Sequence, residues 1–291
     1  MAPATTSATT SASGAAAAPR PPATGTSVPR PRSLTAFRAS YEHQILLYLR
    51  NWRGSLFSNF AQPVLFLLAM GIGLGSYVDK NGSAATGGVP YIQFLAPALL
   101  VSTVMQGAAS EGTFPVLAGF HWVRRYYAMY ATPLTPRAIA FGQLAWGATH
   151  AAMVGSIFAL VIVLFGAAAT PGIVWSVPIG VLTGIAFAAP IAAFMSTQRD
   201  TIAWSNIWRF GIVPLFLFSG TFFPIDRLPE LIRPIAWLLP LWHGVDLARS
   251  LALGTAWEDP LVQLAHVVIL GAYAIGGTWA MFVMFRRELE K

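Results

Sequence analysis

The chain has 291 residues, 55% of them hydrophobic and only 10% charged, whereas a soluble domain carries about 25% charged residues. Its net charge of +7 comes from basic residues beside apolar segments, with no continuous stripe of interleaved aromatics, so composition points away from nucleic acid. With no cysteine in the sequence, disulfides, thiolate metal sites and cysteine nucleophiles are excluded, and the redox compartment stays undecided.

Residues 1–32 are dominated by Ala, Thr, Ser and Pro, with three arginines and no acidic residue. Such a composition cannot bury a core and predicts a disordered tail. An acid-free leader containing Arg and Ser also fits an organellar transit peptide, but its prolines oppose an amphipathic helix and no apolar signal segment follows. Next, apolar and aromatic residues recur at Leu34, Phe37, Tyr41, Ile45, Tyr48 and Trp52, the steps of one helical face. Arg38, Glu42, Arg50 and Arg53 lie largely off that face. The pattern predicts an interfacial helix over 34–53 with its basic side chains toward anionic lipid.

No Asp, Glu, Lys or Arg occurs between Arg53 and Asp79 or between Arg137 and Arg199. A spanning helix needs about 20 apolar residues, so the second stretch is long enough for two. The predicted spans are Ser55 to Tyr77, Tyr91 to Gly112, Ala138 to Phe165, Ile173 to Thr197, Ile202 to Phe223 and Leu261 to Phe285, together a six-helix transmembrane domain over 33–291. A polar, glycine-rich loop from Asp79 to Gly88 follows the first span. Phe114 to Arg137 mixes aromatics with Arg124 and Arg125 and ends in Thr132-Pro133-Leu134-Thr135-Pro136, which predicts a short helix and a turn outside the bilayer core. In 224–254 the prolines Pro224, Pro229, Pro234 and Pro240 recur too closely for a spanning helix. A re-entrant helical hairpin before the last span fits that spacing. The fold class is thus an all-α integral membrane protein.

Fourteen of the eighteen basic residues fall in the tail and interfacial helix, the 114–137 loop, the Gln198 to Arg209 turn and the C-terminus. By the positive-inside rule both termini face the cytoplasm, which requires an even number of spans, and Lys80, Arg227, Arg233 and Arg249 face outside.

The search for chemistry yields little. No Gly-x-x-x-x-Gly-Lys-Ser/Thr phosphate loop occurs, so ATP driving this chain would be bound elsewhere. Gly71-Ile72-Gly73-Leu74-Gly75 lacks the strand-turn-helix context of a dinucleotide loop; Gly71 and Gly75, like Gly180 and Gly184, read as close helix packing sites. His43, His121, His150, His243 and His266 have no metal-ligand spacing and no sequence-adjacent carboxylate. His150 and His266 fall within predicted spans, where an ionisable residue raises a functional hypothesis; with no carboxylate apparent beside them, neutral imidazoles bonded to neighbouring helices are expected. Glu111 closes the second span beside Arg124 and Arg125 and is expected to pair with a basic group, to position the following loop, or simply to be solvated. Asn81-Gly82-Ser83 matches a glycosylation sequon but is first a turn signal. The aromatics from Trp204 to Phe223 fit either an amphiphile path or an interfacial belt. No catalytic, cofactor-binding or metal-ligating residue is assigned.

Several segments resemble the type-2 membrane components of ABC transporters, in particular the NodJ-like group related to nodulation lipo-oligosaccharide exporters. The resemblance rests on Phe218-Ser-Gly-Thr-Phe-Phe-Pro-Ile-Asp-Arg-Leu-Pro229, on Leu238-Leu-Pro-Leu-Trp-His-Gly-Val-Asp-Leu-Ala-Arg249, and on Phe94-Leu-Ala-Pro-Ala-Leu-Leu100 continuing to Glu111. It runs from about Arg38 to the C-terminus and leaves the N-terminal tail without a counterpart.

The resemblance implies a permease in the cytoplasmic (inner) membrane and a separate ABC ATPase, present in two copies, that holds ATP and Mg. It implies a second copy of the permease, with the export path between the two, and an amphiphilic substrate such as a lipid-linked glycan, a lipid or a hydrophobic drug. Contact with the ATPase is expected around Pro115 to Tyr130, where Phe120, Arg124, Arg125, Tyr126 and Tyr127, with Glu111, are the coupling candidates. Pro224, Pro229, Leu239, Pro240, His243 and Asp246 are the candidates for an external re-entrant cap. Two other classes remain in view. A membrane-embedded lipid-processing enzyme would cluster Asp, Glu or His at one membrane face, and a secondary transporter would show inverted repeats and midplane ionisable residues.

Overall fold

The computed structural model describes residues 33–50, 52–80, 88–227, 229–230, 233–256 and 258–291. The N-terminal tail, the Asn81-Gly82-Ser83 sequon and parts of the 224–254 segment lie outside these residues.

The described residues form helices and connecting turns, with no strand among them. Helix α1 covers Ser33–Leu49. The first span runs as α2 (Trp52–Phe66), a π-helical stretch (Leu67–Leu74) and α3 (Gly75–Lys80). Then come α4 (Tyr91–Gly112), α5 (Phe114–His121), α6 (Arg125–Tyr130) and α7 (Pro136–Leu164). A 3-10 turn (Pro171–Trp175) leads into α8 (Ser176–Thr197). Helix α9 (Ile202–Asn206), a second π-helical stretch (Ile207–Ile212) and α10 (Val213–Phe218) make one continuous apolar helix. Last are α11 (Arg233–Leu238), α12 (Pro240–Leu253) and α13 (Pro260–Leu289).

Among the described residues five helical segments are long and apolar enough to cross a membrane: Phe60–Lys80, Tyr91–His121, Pro136–Leu164, Pro171–Thr197 and Pro260–Leu289. The sixth, Ile202–Phe218, is shorter. It stops before the predicted Phe223 because Ser219 leaves the helix and Gly220 adopts φ +79°, a left-handed turn that glycine takes without steric cost. The protein is a multi-span helical membrane protein, and α4 is its central helix: Leu95, Leu99, Leu100, Val101 and Val104 are fully buried.

Small residues let the neighbours of α4 approach. A Cβ on Gly71 would fall 2.8 Å from Ile92, and one on Gly184 would fall 2.8 Å from the Ala108 Cβ. Those are the close contacts that the glycine spacing predicts, and in a bilayer such packing replaces the hydrophobic drive between helices. Helix α1 packs along the bundle. It lies on α7 through Ala36, Ser40 and Gln44, which are buried, while Leu34 is exposed. Ser40 sits against Gly142, where a Cβ would clash with it. The aromatic stripe borders this seam and also reaches α7, with Phe37 5.6 Å from the Phe141 ring and Tyr48 5.2 Å from that of Trp146.

Candidate functional site

Two features stand at one end of the bundle, a helical hairpin and a polar cavity. The hairpin is α5 and α6. Gly112 lies against Ala188, where a Cβ would come within 2.7 Å of its carbonyl oxygen, and Thr113 then breaks the helix with φ −94° and ψ −104°. Pro115 stands in the first turn of α5, where its missing N–H costs nothing. Arg124 reverses the chain at φ 53°, the one non-glycine residue with positive φ among those described.

The predicted coupling residues divide into two sets. Phe120 and Tyr126 are each 1% exposed and belong to a second hydrophobic core with Val116, Ile139, Met281 and Phe285. Their rings are 4.7 Å apart, and that of Phe285 lies 4.9 Å from Phe120. Arg125 folds back: Nη2 donates to the Pro115 carbonyl at 3.0 Å and to Tyr126 Oη at 2.9 Å. Arg124 and Tyr127 are exposed. Sequence reasoning missed Trp122 and Val123, 52% and 71% exposed at the hairpin tip. Two large apolar residues immediately before a basic pair were the available signal.

A hydrogen-bond relay ties the hairpin to four other helices. Tyr126 Oη donates to Gln143 Oε1 of α7 at 2.9 Å, and Gln44 of α1 donates to the same oxygen. Gln143 Nε2 donates to the backbone carbonyl of Glu111 at 3.3 Å. Tyr127 Oη donates to the Glu288 carbonyl of α13 at 3.2 Å.

Glu111 does not pair with Arg124 or Arg125. Its Oε2 accepts from Trp146 Nε1 at 3.3 Å, and its Oε1 lies 3.7 Å from His150 Nδ1. It faces a cavity of about 280 Å³ bordered by Gln62, Thr103, Gln106, Glu111, His150 and Trp208. His150 thus has a carboxylate neighbour, contrary to the expectation from sequence. The two groups are 39 residues apart on different helices, and spacing in the chain carries no trace of the contact.

His266 departs in the same way. At the other end, α12 packs against α4, α8 and α13, bringing His243 Nδ1 within 2.7 Å of His266 Nδ1 and Asp246 Oδ2 within 3.2 Å of His266 Nε2. One imidazole donates and the other accepts. Of the predicted cap residues, Pro240 and His243 are buried, Leu239 and Asp246 are half-buried, Pro224 is partly covered and Pro229 is exposed. Arg249 was assigned only a side of the membrane. It lies 3.8 Å over the Phe94 ring and donates to the carbonyls of Phe94 at 3.2 Å and Gly220 at 2.7 Å. No group of three or more His, Asp or Glu residues suited to a metal occurs among the described residues.

A bundle of apolar helices with a polar cleft opening at its side and a latched hairpin at one end is compatible with the membrane subunit of a transport protein. The chain belongs to the ABC-2 type transporter family, whose pattern matches residues 35–253. It is 30% identical over 268 residues to nodulation protein J of Rhizobium leguminosarum bv. trifolii, covering 88% of this chain and 98% of that one. It is 29% identical over 257 residues to nodulation protein J of Rhizobium leguminosarum bv. viciae, covering 87% and 95%. A shorter match, 28% over 108 residues, joins 37% of this chain to 28% of the probable multidrug ABC transporter permease YbhR of Escherichia coli strain K12.

Proposed function

We propose that this chain is the membrane subunit of an ATP-driven exporter that moves an amphiphile, with ATP bound on a separate subunit seated against the α5–α6 hairpin. The observation that carries the reading is the hairpin's division of labour. Its inner face is locked into the bundle by Phe120, Tyr126 and Arg125, while Trp122, Val123, Arg124 and Tyr127 are exposed together. Aromatic and Arg residues dominate interface hot spots, so this face suits a protein partner. The relay through Gln143 to Glu111 gives a push on the hairpin a route to the cavity.

The same reading places the hairpin, the termini and α1 on the cytoplasmic side of the inner membrane, from the Lys/Arg asymmetry. It places α11 and α12 as a re-entrant cap on the outer side, with His243 and Pro240 at its deep end. Two permease copies and two ATPase copies complete the exporter. The substrate class, a lipid-linked glycan, a lipid or a hydrophobic drug, follows the family likeness and the multidrug permease named above.

The test is copurification with the ATPase and its stimulation by the permease. Trp122→Ala combined with Arg124→Ala is expected to lower both at normal membrane insertion. Wild-type copurification and stimulation in that variant would overturn the docking assignment.

A further inference from the structure

The cavity beside Glu111 contains a chemical mismatch. Among the described residues its border carries one carboxylate and neither Lys nor Arg. Glu111 Oε2 accepts one long hydrogen bond from Trp146, and Oε1 is 3.7 Å from His150 Nδ1, beyond hydrogen-bond reach. His150 Nδ1 is buried and has no hydrogen-bond partner. A charged imidazolium would have two N–H donors to satisfy, so the ring's geometry is that of a bystander. An ionisable side chain among spanning helices is costly without a partner and marks a ligand path.

The surroundings supply the other half of an ammonium site. Trp208 borders the cavity, and Trp146, whose ring stacks 6.0 Å from His150, holds the carboxylate from behind through its Nε1–H. Aromatic faces attract alkylammonium ions, more strongly when water is excluded. Gln62, Thr103 and Gln106 offer neutral hydrogen-bonding groups around the rim. A phosphate would meet no cationic donor among the described residues, and an uncharged polyol would leave the carboxylate uncompensated.

We infer that this cavity binds the alkylammonium group of an amphiphile, with Glu111 as the counter-ion and Trp208 as the aromatic wall. As a statement about the cargo, this rests on the exporter reading. As a statement about binding, it stands alone. The group belongs either to the transported molecule or to a resident aminophospholipid, and both present the same chemistry to the site.

The probe is dodecyltrimethylammonium, set against its uncharged tert-butyl isostere and against dodecyl sulfate, with the full chain in dodecyl maltoside micelles. Carbodiimide modification of Glu111, read by mass spectrometry, is expected to slow at least fivefold with the cation and not with the other two. Direct binding of the radiolabelled cation should weaken at least tenfold in Glu111→Gln and about fivefold in Trp208→Leu. Equal protection by the isostere, or binding in a folded Glu111→Gln variant within twofold of wild type, overturns the site. Should Glu111→Gln fail to fold, the wild-type comparison of the three probes decides alone. Displacement by phosphatidylethanolamine identifies a resident lipid; ATP-dependent accumulation of the cation in vesicles holding the whole exporter identifies cargo. Binding with neither accumulation nor displacement by phosphatidylethanolamine retains the site and counts against the exporter reading, so the two failures are distinct.

Discussion

The hydroxyl of Tyr126 donates to Oε1 of Gln143 at 2.9 Å while its ring lies 5.3 Å from that of Phe285, so one side chain joins α6 to both α7 and α13. The two halves of that contact are separable. Tyr126→Phe removes the hydroxyl and leaves the ring, at a cost of about 1 kcal/mol. Tyr126→Ala also empties the small core under the hairpin, at about 3–5 kcal/mol by analogy with other aromatic truncations. We expect Tyr126→Phe to insert and bind the ATPase normally but to lose substrate stimulation of ATP hydrolysis. Tyr126→Ala should in addition lower the unfolding temperature. Normal stimulation in Tyr126→Phe would remove the relay from the mechanism.

Arg124 holds a left-handed conformation that costs an L-residue roughly 1–2 kcal/mol. Arg124→Gly relieves this strain and is expected to match or exceed wild type in thermal stability. Arg124→Val puts a β-branched side chain in the same turn and is expected to destabilise the hairpin. Thermal unfolding of the purified chain distinguishes them, and if the two variants melt together the turn is not constrained as described.

Arg249 is the fastener of α12. Burial pushes its guanidinium down to about 10, still charged at neutral pH, with Asp246 opposing the shift. Arg249→Met keeps much of the apolar volume but leaves the Gly220 and Phe94 carbonyls without their donor, at about 1–3 kcal/mol for a buried unsatisfied group. Loss of export with retained ATPase binding is the expected pattern, because the damage lies at the opposite end from the hairpin. A protease accessibility assay on 219–256 should show faster cleavage in Arg249→Met; unchanged cleavage would mean that α12 is held by packing alone.

Orientation is directly measurable because the chain has no cysteine to remove. Lys80→Cys and Arg124→Cys replace exposed residues at opposite ends of the first two spans. In intact cells an impermeant maleimide should label position 80 and not 124, and in inverted vesicles the reverse. Labelling of position 80 only from the cytoplasmic face would reject the proposed topology.

Much of the helical plan is visible in the sequence because lipid forces spans to be long, apolar and nearly charge-free. Tyr91 to Gly112 has the same bounds as α4 for that reason. The fifth span was overextended, since Phe222 and Phe223 continue the apolar run after Gly220 has already turned the chain. The site was far less legible. Glu111 with His150, and Asp246 with His266, are contacts between helices, and they depend on rotation about each helix axis. Apolar segments reveal little of that rotation because lipid-facing and core-facing residues look alike. Phe120 and Tyr126 lie in the predicted hairpin but on its buried side, because composition alone does not separate a buried aromatic from an exposed one.

The break at Thr113 joins a helix of 22 residues to one of 8. At about 1.5 Å per residue these are arms of about 33 Å and 12 Å. The short arm carries the exposed tip, and the long arm is the axis of the main core. If they turn together about Thr113, a 1 Å push at the tip becomes roughly 3 Å at the far end of α4, beside Arg249 and the Ser219 turn. The polypeptide would then act as its own gearing, trading force near the hairpin for travel at the opposite face.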